Sequence, residues 1–172
     1  MEDTRVGQEI ALKLINPGVT SDHKIIERFR SELRTARMIS HRNVCRMFDL
    51  GESDGRHYIT MEYVSGQDLK GLIRQSGNLA IGTAISIAKQ ICEGLSEAHK
   101  AGVVHRDLKP NNIMMDREGE VRIMDFGIAR SLYEKGLTGA GVMIGTPEYM
   151  SPEEAEAKEG DQRSDIYSLG VI

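Results

Sequence analysis

The segment His105-Arg106-Asp107-Leu108-Lys109-Pro110-Asn111-Asn112 sets a carboxylate, an ammonium and an amide within six residues. Thirteen residues beyond Asn112, Asp125-Phe126-Gly127 adds a second carboxylate. Phosphoryl transfer from ATP needs an acceptor for a hydroxyl proton, a cation for the moving phosphate and two oxygen ligands for magnesium. The two segments supply these groups in order, at a spacing that a hairpin spans. Either alone is a weak signal, and together they are a specific one.

Several elements must position these groups. Glu9 to Ile15 predicts a strand, with Ile10, Leu12 and Leu14 on one face and Ala11, Lys13 and Ile15 on the other. A lysine between two apolar residues is either an edge guard or a functional cation. After Asn16-Pro17-Gly18, Ser21 or Asp22 can cap a helix running to about Ile39. Its apolar stripe is Ile25, Phe29, Ala36 and Ile39, with Glu32 in the middle. A carboxylate on a buried face needs a cation. Lys13 is the expected partner, and a solvent-facing Glu32 helped by Arg28 is the alternative. Val44 to Leu50 and His57 to Tyr63 read as strands joined by Glu52-Ser53-Asp54-Gly55. A long helix from Ile81 to Lys100 carries Ala84, Ala88, Ile91, Leu95 and Ala98 as a core stripe. Gly94 interrupts it at a cost of about 1 kcal/mol relative to alanine, and Gly102 stops it. Ile113-Met114-Met115 and Val121-Arg122-Ile123-Met124 form a hairpin around Arg117-Glu118-Gly119, which brings Asn112 and Asp125 to the same end.

The chain resembles the protein kinases, in particular the serine/threonine kinases of the bacterial type. The resemblance rests on Ala11-Leu12-Lys13, the helix with Glu32, Met61-Glu62-Tyr63-Val64, His105 to Asn112, Asp125-Phe126-Gly127 and Gly145-Thr146-Pro147-Glu148-Tyr149-Met150-Ser151-Pro152-Glu153. It implies an α+β, two-lobed fold, with a small antiparallel-sheet lobe bearing one helix (residues 1–63) and a mostly helical lobe (residues 64–172), each with its own small core. It implies ATP and magnesium. Asp107 would orient the substrate hydroxyl, Lys109 would steady the transferred phosphate, and Asn112 and Asp125 would hold the metal. Lys13 would reach the phosphates, supported by Glu32. Ala11, Met61 and Met114 would enclose adenine, the backbone of Glu62 and Val64 would hold its edge, and Asp68 would reach the ribose unless it only caps the next helix. His105 and Phe126 would pack in a structural spine. Arg106, with Arg130, would grip a phosphate on the segment from Asp125 to Glu153, for which Thr138 is the candidate. Thr146 would belong to the substrate platform.

Composition sets bounds. A formal net charge of −4 argues against nucleic acid as the main partner. Lys24, Arg28, Arg30, Arg34, Arg37, Arg42 and Arg46 make the first helix and its exit basic, which reads as a solvated face. Two separated cysteines, Cys45 and Cys92, fit a reducing cytoplasm. No stretch approaches the about twenty apolar residues of a membrane span, although a segment outside this chain could anchor the parent.

Twelve residues precede Lys13 and none fits the glycine-rich Gly-x-Gly-x-x-Gly loop. At the other end the chain stops inside the apolar run Asp165 to Ile172. The expectation is a fragment, truncated at both ends of the kinase domain and weak or inactive alone. Two functions compete. One is a kinase acting on serine and threonine of proteins, with self-association for autophosphorylation in trans. The other is an inactive remnant that binds nucleotide or protein. Small-molecule kinases form a third class, opposed by Thr146-Pro147-Glu148 and Ser151-Pro152-Glu153.

Overall fold

The computed structural model describes residues 2–3, 7–15, 23–126, 147–156 and 158–172. Strands β1 (Glu2–Asp3), β2 (Gln8–Leu14), β3 (Met47–Ser53) and β4 (Arg56–Glu62) form an antiparallel sheet in the order β1-β2-β4-β3. The β3–β4 turn is two residues long, with Asp54 and Gly55 both at positive φ, as a tight hairpin requires. Register sets Ala11 opposite Met61 and Lys13 opposite Ile59. Helix α1 (His23–Ala36) buries Ile26, Phe29, Leu33 and Ala36, and Ile39 follows them inward. Phe29, Ala36 and Ile39 belong to the predicted stripe, and Ile26 and Leu33 are additions to it; Ser21, Asp22 and the Ile25 side chain lie outside the described residues.

The second lobe opens with β5 (Gly66–Asp68), which sequence reasoning had not separated from the following helix. It pairs with β6 (Ile113–Asp116), and β6 pairs with β7 (Val121–Ile123). Helices α2 (Leu69–Ser76), α3 (Ile81–Lys100), α4 (Pro152–Ala155) and α5 (Gln162–Val171) complete it, with 3-10 turns at Pro110–Asn112 and Pro147–Tyr149. Helix α3 has its predicted ends. At its C-terminus the Val103 N–H bonds Ala98 O and the Gly102 N–H bonds His99 O, with Gly102 at φ 75. Both bonds of a Schellman motif are present.

Two expectations change. The predicted strand Val44 to Leu50 starts later, at Met47, because Val44 is used elsewhere. It forms a parallel bridge to Ile123, flanked by the Cys45 N–H to Ile123 O bond and the Ile123 N–H to Asn43 O bond, both 2.9 Å. That suture joins the lobes, so the two small cores expected are one continuous cluster. It runs from Phe29 and Met61 through Val44 and Ile123 to Ile91, Leu95 and Phe126.

Gly94 explains itself at the same seam. A Cβ there would lie 2.8 Å from Ile123 Cδ1 and 2.9 Å from Asn43 O. The close approach of α3 to β7 therefore requires glycine, which offsets its poor helix propensity. Gly94→Ala is expected to destabilise the protein by about 1–3 kcal/mol through overpacking, despite a propensity gain of about 1 kcal/mol. Chemical denaturation would check this, and a more stable variant would refute it.

Candidate active site

The loop between α3 and β6 carries the chemistry. Asp107 accepts from Lys109 Nζ at 2.8 and 3.1 Å on its two oxygens, and from Asn112 Nδ2 at 3.1 Å. Asn112 Nδ2 also donates to the Asp107 main-chain oxygen at 2.8 Å. The amide that closes the loop is thereby locked by the loop it closes, and its Oδ1 is the oxygen left for a ligand. Asn112 O accepts the Met124 N–H at 2.8 Å, which ties this loop to the end of β7 and to Asp125 beyond it. The hairpin thus does what its spacing predicted.

Lys13 departs from expectation. Its Nζ lies 2.7 Å from Asp125 Oδ1, so the ammonium pairs with the carboxylate after β7 and not with Glu32. Glu32 is half-buried on α1 and has other interactions. Pairing with Asp125 joins the two lobes directly across the site. Asp125 and Asn112 offer hard oxygen donors, which fit magnesium with water and phosphate completing the sphere. Among the described residues no group of three or more His, Cys, Asp and Glu side chains could hold a metal without such help.

Two residues of the site, Arg106 and Asp125, hold positive φ of 63° and 53°. Such strain persists only where surrounding contacts over-determine it. For Arg106 the determinant is Asp165, a residue not singled out from sequence. Asp165 is 1% exposed and accepts the N–H groups of His105 and Arg106, both at 2.9 Å, and His99 Nε2 at 2.7 Å. The available signal was a carboxylate entering an apolar helical run, which demands buried donors.

His105 has no exposed surface. Its Nε2 faces the Met124 carbonyl at 2.8 Å and its Nδ1 takes the Asp107 N–H at 3.2 Å. A carbonyl only accepts, so the proton sits on Nε2 and the ring is neutral. His105 and Phe126 rings lie 4.9 Å apart, tilted by 51°. The structural role expected of both is what the packing shows.

The remaining candidates divide. Ala11 and Met61 are cross-strand partners, with Met61 buried and Ala11 half-buried. Val64 packs on the core, and Met114 faces Asp68 in the β5–β6 register. The Glu62 N–H is taken by Arg46 O at 2.9 Å. Asp68 is the N-cap of α2, its Oδ1 accepting the Gly71 N–H at 2.7 Å. Arg106 Nη2 is 3.6 Å from the exposed Glu159. Arg130, Thr138 and Thr146 lie outside the described residues. Burial, with Glu62 and Asp125 nearby, pushes the Cys45 thiol up to about 12, so it is an inert core group.

Below the loop, Ser164 Oγ donates to Glu153 at 2.5 Å. This bond holds the Glu153 carboxyl below the usual carboxylate range. A depressed folded value stabilises fully above the unfolded value and is lost as pH falls through the folded one. Ser164→Ala is therefore expected to lower the melting temperature at neutral pH, with the difference from wild type shrinking below about pH 4. A difference that persists unchanged in acid would show that the loss comes from packing alone.

A small antiparallel sheet with one helix, joined to a helical lobe whose loop presents Asp107, Lys109 and Asn112 beside Asp125, defines the protein-kinase-like fold. The comparisons agree: the protein kinase domain model matches residues 2–172, and the chain belongs to that family. It is 39% identical to the serine/threonine-protein kinase PknA of Mycobacterium tuberculosis over 99% of its own length and 41% of PknA. It is likewise 39% identical to the serine/threonine-protein kinase PrkC of Bacillus subtilis, over 99% of its length and 26% of PrkC. The chain thus spans less than half of these curated relatives. The crystal structure of the Mycobacterium tuberculosis PknI kinase domain superposes with a TM-score of 0.74 at 28% identity, covering 93% of this chain and 60% of that one. No helix among the described residues is long and apolar enough to cross a membrane.

Proposed function

We propose that this chain carries the catalytic residues of a serine/threonine protein kinase, transferring the γ-phosphoryl group of ATP to protein hydroxyls. The observation that carries this reading is the joint arrangement of Asp107, Lys109 and Asn112, together with Lys13 drawn to Asp125 from the other lobe. Asp107 positions the serine or threonine hydroxyl and accepts its proton as the oxygen bonds to phosphorus. In a loose transition state that proton leaves late, so orientation counts for more than basicity. Lys109 bridges from Asp107 towards the moving phosphoryl group. Lys13 stands where it can hold phosphate oxygens while keeping Asp125 in place. Magnesium, held by Asn112 and Asp125, would neutralise charge on the phosphates.

Ala11, Met61, Met114 and the backbone at Glu62 and Val64 serve the adenine ring in this reading, and Glu32 supports Lys13 once nucleotide draws the helix in. Arg106, with Arg130, holds phosphate on Thr138. The test is incubation of the full-length protein with magnesium-ATP and a mixed protein substrate. Transfer to serine and threonine is expected, with phosphate on Thr138 by mass spectrometry. Absence of transfer to any protein, itself included, would refute the reading.

A further inference from the structure

The loop leaving α1 is fixed on both sides. Besides the suture to Ile123, its Arg46 O accepts the Glu62 N–H at 2.9 Å. This loop, Glu62 and Arg122 wall a cavity of about 200 Å³. That is below the about 300–1,000 Å³ of small-molecule pockets, so the cavity suits one polar group and not a whole nucleotide. Arg42, Arg46 and Arg122 are among the residues that line it, together with Glu62. The His41 ring accepts the Asn43 N–H on Nδ1 at 3.2 Å, so it is neutral and keeps a donor on Nε2.

The cations are weakly partnered. Arg122 Nε stands 3.8 Å from Glu62 Oε1, beyond hydrogen-bond reach, and its Nη1 donates to Val121 O at a long 3.4 Å. Arg42 meets Glu120 at 3.4 Å on the exposed surface, a contact of little worth. Arg46 makes no ion pair among the described residues, and Glu62 Oε2 instead accepts the Arg46 backbone N–H at 3.2 Å. With Glu120 counted beside Glu62, three positive charges face two negative ones and leave an excess of one. An anion with several acceptor oxygens fits that excess, and guanidinium forks suit a phosphoryl group in particular. The basic character of Arg42 and Arg46, read from sequence as a solvated face, acquires a destination once Arg122 is folded against it.

We propose that this cavity is a docking site for phosphorylated serine or threonine on a protein segment. The choice of a peptide-borne phosphoryl group rests on the kinase reading, which makes it the product of the chain's own chemistry. Glu62 and Arg46 couple the site to the strand that leads into the Met61–Val64 segment.

The arginine Nε–Hε resonances of the nitrogen-15-labelled full-length protein report on the site directly. They would be followed while adding a phosphothreonine peptide flanked by alanine and glycine, the same peptide unphosphorylated, and inorganic phosphate. The Arg42, Arg46 and Arg122 signals are expected to move with the phosphopeptide and not with its unphosphorylated form. Arg46→Gln and Arg122→Gln are each expected to weaken binding by about tenfold, the loss of one charged hydrogen bond. Signals that stay still, that respond to inorganic phosphate but not to the phosphopeptide, or that move only at Arg106 would overturn the proposal. Phosphoryl transfer by Arg46→Gln, measured in parallel, is expected at the wild-type level. Movement of the three signals in a protein that transfers no phosphate would leave the site standing and remove the kinase reading instead.

Discussion

Asp107→Asn is expected to slow phosphoryl transfer by about 10²–10⁴-fold, the range for loss of a positioned proton acceptor, with the fold intact. Asparagine keeps one side-chain oxygen for Lys109 and leaves the Asn112 bond to the main-chain oxygen at 107 untouched. What it loses is the negative charge that orients a hydroxyl and takes its proton. ATP affinity should change little, because Asp107 faces Lys109 and Asn112 and not the Lys13–Asp125 pair. Transfer rates, an ATP titration and a thermal melt on the same variant separate these effects. Turnover within tenfold of wild type would remove Asp107 from the chemistry.

Asp165→Ala is the second change with a large expected effect, and it acts on shape. Its carboxylate accepts the N–H groups of His105 and Arg106, and it also holds His99. Each orphaned buried donor costs about 1–3 kcal/mol, so for the three donors a total of about 3–9 kcal/mol is expected. Set against the about 5–15 kcal/mol of net stability of ordinary domains, that is a large share. The left-handed backbone at Arg106 would relax first, since its N–H loses the Asp165 carboxylate. Asp107 is the next residue, so transfer should fail even at temperatures where the variant remains folded. Asp165→Asn tests the same point with the volume kept, because its amide turns a donor towards N–H groups that need acceptors. Melting points within about 2 °C of wild type, where 1 kcal/mol shifts a domain of this size by about 2–4 °C, would show that Asp165 carries no such weight.

Much of the site was legible along the chain because its groups are local. Asp107, Lys109 and Asn112 share one loop, and the β6–β7 turn has the length that returns the chain to Asp125. The ends of α3 were legible for the same reason: a C-terminal stop is written in the residues beside it. Contacts between distant segments were not. Lys13 could reach either Glu32 or Asp125, two carboxylates whose competition for one exposed ammonium turns on small energies and on where α1 lies. Asp165 follows Arg106 by 59 residues, and nothing in the spacing says that a helix N-terminus will meet that loop from below. Gly94 looked like a flaw in a helix until Ile123 and Asn43 were placed against it. The single core depended on Val44 leaving its expected strand for Ile123. Sequence by itself determined which chemical groups are present, in what order, and on which local elements. Tertiary structure decided which of them share a charge, a hydrogen bond or a cavity wall, because those choices depend on close packing between segments that carry no record of each other's position.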